Sequence, residues 1–98
     1  MKYGEVELIN NIERHNFELF IDGKRSFIDY KMKGDKVYLL HTEVPKELNG
    51  KGIAAALVEK TLVYLESNKL QLVPYCVYVQ AFLKRHPEWN RLLAEREH

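Results

Sequence analysis

The periodicity of the chain changes near its middle, from an alternation of two residues to a recurrence of three and four, and this switch limits the fold more than any other feature. Phe17 to Ile21 reads as a strand ending at Asp22-Gly23, a pair that tolerates the positive φ of a type I′ turn. A returning strand is expected over 26–32, with Ile28, Tyr30 and Met32 on one side and Asp29 and Lys31 on the other. Gly34-Asp35 offers a second tight turn, and 37–44 completes an antiparallel meander. The nearly continuous apolar run of that last segment predicts a central strand covered on both faces. Ahead of the meander, Glu5 to Ile9 are expected to form a short first strand and residues 10–16 a polar connection.

From Gly52 the rhythm is helical. Ala54, Leu57, Val58, Leu62 and Leu65 form an apolar stripe, while Glu59, Lys60 and Glu66 are left to water. Leu70 to Val73 reads as a strand, so 37–44, 52–66 and 70–73 make a βαβ unit with its two strands parallel. A second helix over 76–85 follows Pro74 and is stopped by Pro87. Residues 88–97 are expected to add a final helical turn or two, with Trp89, Leu92 and Leu93 packing back. The expected class is α/β, in an α+β arrangement: a meander joined to a βαβ unit and closed by a C-terminal helix.

Ninety-eight residues, 46% of them hydrophobic, suffice for one core, so a single domain over 1–98 is expected. A formal net charge of +1 argues against nonspecific binding to nucleic acid or to an anionic membrane. The single Cys76 closes no intrachain disulfide, and no zinc-ligand spacing occurs, so no metal is expected. No apolar run approaches a membrane span, and the first residues lack a secretory signal pattern. A cytoplasmic monomer is the default expectation.

Chemistry concentrates between the apolar strand and the long helix, where Asn49-Gly50-Lys51-Gly52-Ile53-Ala54 stands at a helix start. Amides not yet engaged by the helix carry partial positive charge there, and glycines remove the Cβ atoms that would keep phosphate oxygens from the main chain. The same glycines also serve simply to shape a strand-to-helix turn. Neither a dinucleotide Gly-x-Gly-x-x-Gly, whose third glycine would stand at Ala55, nor a Walker motif is present.

Together with the order of elements, this loop resembles the pyrophosphate loop of the GCN5-related N-acetyltransferase superfamily, Gln/Arg-x-x-Gly-x-Gly/Ala. Asn49 stands where Gln or Arg is usual, which keeps a hydrogen-bonding side chain but shortens it or removes its charge. His41 to Pro45, Pro74-Tyr75-Cys76, Tyr78-Val79 and Arg85 to Glu88 look like the NATD1-like group of very small predicted acetyltransferases, and the resemblance spans about the whole chain. It implies a minimal form of that fold, without the two helices between the first strands and without the terminal hairpin. It also implies acetyl-CoA in a cleft where strand 37–44 splays from 70–73. The pantetheine arm would lie along Thr42 to Val44 and the pyrophosphate against Gly50, Lys51, Gly52, Ile53, Ala54 and Ala55, with an amine as acetyl acceptor.

Four side chains near that cleft have suitable acid–base or nucleophilic chemistry. Cys76 opens a helix, where the dipole lowers a thiol pKa, so it is expected to protonate the departing sulfur or to accept the acetyl group, against the alternative of a small buried hydrophobe. Tyr78 corresponds approximately to the general acid of larger members of the superfamily, and is otherwise core. His41 and Glu43 alternate on one strand and point the same way, as a base or water-holder or as ordinary surface residues. Arg85 and His86 are placed to bind an acceptor or an adenosine phosphate, or to cap their helix. The expected function is N-acetyl transfer from acetyl-CoA to a small-molecule or protein amine. The alternatives are a noncatalytic acyl-CoA-binding module and a protein-interaction module.

Overall fold

The computed structural model describes residues 3–94. Five strands form one sheet in the order of the chain: β1 (Ile9–Asn11), β2 (Asn16–Ile21), β3 (Lys24–Lys33), β4 (Lys36–Glu43) and β5 (Gln71–Pro74). The first three junctions are antiparallel and β4 lies parallel to β5, with helix α1 (Ile53–Ser67) as the crossover. Helix α2 (Val77–Arg85) and a 3-10 segment (Pro87–Leu92) follow.

The hairpin turn at Asp22-Gly23 has φ of 54° and 74°, the doubly positive pair that a type I′ turn requires. It fixes the register in which Phe17 faces Ile28 and Leu19 faces Ser26. Since alternate residues point to one side, Phe17, Leu19, Ile28, Tyr30, Val37 and Leu39 build the inner face of the sheet. Against it α1 buries Ala56, Leu57, Val58, Leu62 and Leu65, and α2 adds Val79, Phe82 and Leu83. Each fully buried Leu or Val is worth about 1.5–3 kcal/mol relative to exposure, so this layer holds the fold. Thr61, also fully buried on α1, satisfies its hydroxyl by donating to the Leu57 carbonyl at 2.8 Å.

Three expectations need correction. The first strand spans Ile9–Asn11 rather than Glu5 to Ile9, because Asn10 is drawn into the structure: its side chain accepts from the Tyr30 hydroxyl at 2.6 Å and donates to the Tyr64 hydroxyl at 3.2 Å. The strand Lys36–Glu43 is covered on one face only. Leu40, 41% exposed, and Tyr38 face outward on a side that no described helix covers, while Met32, next to the last residue of β3, is exposed. At the C-terminus, Leu92 is buried and Trp89 packs against the core, whereas Leu93 is exposed and attached through a backbone bridge to Leu72. Glu95 to Glu97 lie outside the described residues. No described helix is long and apolar enough to cross a membrane.

Candidate functional site

Two irregularities at the parallel end of the sheet create the site. Asp29 pairs with His41 but the next residue, Tyr30, pairs with Leu39, so Leu40 is an extra residue that bulges from β4. Parallel pairing with β5 runs only from Lys36/Gln71 to Leu39/Pro74. There the Leu39 carbonyl accepts from the amides of both Tyr75 (3.0 Å) and Cys76 (2.8 Å), and the chain turns away into α2. Past this point no described strand pairs with β4 on that side, which is the splay that the sequence resemblance implied.

The loop leaving β4 is shaped from within. A 3-10 turn, Lys46–Leu48, buries Leu48 as an anchor, and Gly50 and Gly52 adopt φ of 78° and 77°, a left-handed geometry that favours glycine. Gly52 caps α1, whose first main-chain bond runs from the Ala56 amide to the Gly52 carbonyl at 3.1 Å. The amides just before Ala56 are therefore outside the helical ladder, and no acidic side chain occupies the first turn. From the N-terminal segment, the Tyr3 hydroxyl donates to the Lys51 carbonyl at 2.8 Å.

In front of these amides lies a cavity of about 250 Å³ lined by Val44, Leu48, Asn49, Gly50, Gly52, Ile53, Ala54, Ala55 and Tyr78. Where a Cβ would stand at Gly50 or Gly52 there is open space, since it would meet no other part of the chain within 4 Å. The residues thus fit the diphosphate of a coenzyme: main-chain donors at a positive helix end, beside a cavity that no glycine side chain narrows. Seven of the nine residues expected for cofactor binding line the cavity. Lys51 is exposed beside it, and Thr42 faces the inner side of the sheet.

The four candidates for chemistry separate into three places. Tyr78 lines the cavity, and burial pushes its phenol above the ordinary value despite the opposing charge of Arg85, so the hydroxyl keeps its proton across the neutral range. Cys76 caps α2, but its thiol is turned inward, with Sγ 3.2 Å from the Thr42 hydroxyl and only 5% of the residue exposed. It does not line the cavity. His41 and Glu43 do point together, on the outer face, with Nε2 and Oε1 3.1 Å apart and both side chains more than half exposed. His86 is the C-cap of α2, its amide bonded to the Phe82 carbonyl at 2.9 Å and its ring 4.5 Å from that of Phe82.

Glu43 borders a second, larger hollow of about 550 Å³ with Arg25, Phe27, Pro45 and Lys46, and Val44 and Asn49 line both cavities. Sequence reasoning missed Arg25. Its guanidinium lies 4.2 Å over the Phe27 ring and is held by Glu18 and Asn16, each 4% exposed, with Asn16 in turn bonded to Asp29. The alternation that marks Glu18 as outward-facing carries no sign that Arg25 and its neighbours bury it. Among the described residues no group of three or more His, Cys, Asp or Glu side chains is placed to hold a metal.

Comparison with known proteins agrees with this geometry. Residues 16–92 match a family model described as GCN5-related N-acetyl-transferase. The chain is 29% identical to Protein NATD1 of Mus musculus over 86% of this chain and 79% of that protein. It is 32% identical to Protein NATD1 of Bos taurus, over 84% of this chain and 75% of the relative. The solution structure of a GCN5-like protein from Staphylococcus aureus shares the fold with a TM-score of 0.68 at 20% identity, covering 95% of this chain and 92% of that one. The splayed strands, the glycine loop at the helix start and the matched family model together establish that this chain belongs to the GCN5-related N-acetyltransferase family.

Proposed function

We propose that the protein binds acetyl-CoA and transfers its acetyl group to an amine. The observation that carries this reading is the cavity that the glycine loop and the start of α1 line together with Tyr78, beside the stretch of β4 past its last pair with β5. When bound, acetyl-CoA supplies a thioester: the acceptor nitrogen bonds to the acetyl carbon, the carbon–sulfur bond breaks, the nitrogen loses a proton and the sulfur gains one.

The chain's own residues divide this work. Amides of Gly50 to Ala55 hold the diphosphate, and the edge of Thr42 to Val44 on the side away from β3, which no described strand pairs, receives the pantetheine arm as an added strand. Tyr78 is the proton donor in this reading: it lines the cavity, and burial keeps its phenol protonated. Cys76 supports the wall through Thr42 instead of meeting the sulfur, since its thiol is enclosed. The His41–Glu43 pair, on the opposite face of the same strand, takes the acceptor's proton directly or through water.

Amide shifts followed during titration with acetyl-CoA test the reading. Val44 and Gly50 to Ala55 should move together, whereas an unresponsive loop would remove both catalysis and coenzyme binding from consideration.

A further inference from the structure

The outer face of the sheet, which the proposed reaction uses only at His41 and Glu43, carries an ordered pattern of charge. Cross-strand partners along β3 and β4 there are Lys33 with Lys36, Lys31 with Tyr38, Asp29 with His41, and Phe27 with Glu43. A basic end thus gives way to an acidic middle. Successive rows on one face are about 7 Å apart, because each strand residue advances about 3.3–3.4 Å. Lys31 and Lys33 are exposed, and neither forms an ion pair with a described residue.

These two lysines border a hollow of about 350 Å³ with Tyr38, Leu40 and Tyr75. Its position matters: Leu40 is the bulge, and Tyr75 is the first residue past the last β4–β5 pair, so the hollow opens at the apex of the splay. Tyr38 and Tyr75 meet edge to face at 5.4 Å, giving it an aromatic wall. A volume at the low end of the usual ligand range, about 300–1000 Å³, suits a small molecule.

We infer that the acetyl acceptor is a small primary amine that also bears a carboxylate, of amino-acid size. Its carboxylate is drawn to the Lys31 and Lys33 ammonium groups, and its amine points along the face toward the next row, Asp29 and His41, beside the opening of the splay. A polyamine is disfavoured by the same two cations, and an amine without an anion leaves them unpaired. The inference rests on the acetyl-CoA reading and specifies the acceptor for it.

The test uses the full chain with CoA bound, titrated with glutamate, with glutamate whose carboxylates are amidated, and with spermidine. Glutamate should shift the amides of Lys31, Lys33, Tyr38 and Tyr75, and Lys31→Glu combined with Lys33→Glu should weaken it at least about tenfold while leaving CoA affinity unchanged. Where acetyl transfer is followed, the same pair of substitutions should raise the acceptor KM and leave the acetyl-CoA KM alone. Equal or tighter binding of the amidated compound or spermidine overturns the inference, as does indifference to charge reversal. CoA shifts at Gly50 to Ala55 with no glutamate response sink this inference alone; a loop silent to CoA sinks both.

Discussion

The two faces of the sheet follow different rules. On the inner face, Phe17, Leu19, Ile28, Val37 and Leu39 are each 1% exposed or less and meet the stripe of α1, so shape and volume decide which residues are tolerated. On the outer face, Phe20, Leu40 and Tyr75 are exposed, and charges are arranged in rows or held, as Arg25 is, by buried partners. Stability is thus concentrated in one layer, which leaves the other layer and the open edge of β4 available for chemistry.

The largest expected effect touches the edge and neither face. Tyr78→Phe should lower kcat by about 10²–10⁴-fold with little change in stability, as loss of a general acid does. The sign of its pH dependence is fixed by burial, which favours the neutral phenol: the alkaline limb of the parent's activity should lie above the ordinary tyrosine value of about 10 and be missing in the variant. An unchanged kcat would remove Tyr78 from the reaction. Next, Leu57→Ala on the inner side should cost about 2–5 kcal/mol in denaturant unfolding, as core truncations do. Phe20→Ala, at 46% exposure, should cost far less, and equal losses would break the distinction between the faces.

A smaller effect separates loop geometry from loop function. Gly52→Ala places a side chain on a left-handed backbone, a strain of about 1–2 kcal/mol, with no clash because nothing lies within 4 Å of the new Cβ. Acetyl-CoA affinity should fall about tenfold as the Cβ enters the cavity, and full affinity at reduced stability would show that the glycine only shapes the turn. The smallest effect is at the surface, where the Arg91 hydrogen bond holds Glu66 below the usual carboxylate range. A folded-state value below the unfolded one means the contribution is present at neutral pH and is lost as pH falls through the folded value. Glu66→Gln should therefore lower Tm slightly at pH 7, and the difference should fade in acid and in high salt.

Local chemistry in the sequence shows why some of this was readable. Asp22-Gly23 declares a hairpin because few other pairs accept two positive φ values, and Gly50 and Gly52 mark the loop for the same steric reason. The helical stripe of α1 is equally plain. Whether an apolar strand is covered on one face or two depends on what else the chain supplies, so the run from Val37 to Leu40 led to a second cover that the described fold lacks. The bulge at Leu40 has no residue signature, and it reverses the alternation that would otherwise put His41 on the inner side. Cys76 was correctly expected at a helix start, but only tertiary packing turns its thiol toward Thr42, whereas Tyr78 two residues on reaches the cavity. Arg25 depends on neighbours seven and nine residues away across a hairpin, which no short motif records.

Because the Leu39 carbonyl already receives two amides from the turn into α2, that turn acts as a stop against which β4 and β5 cannot zip further. A guest chain inserted beyond it would compete with no described strand for the edge of β4. The wedge is set when the polypeptide folds, so entry of a ligand need not await any parting of strands.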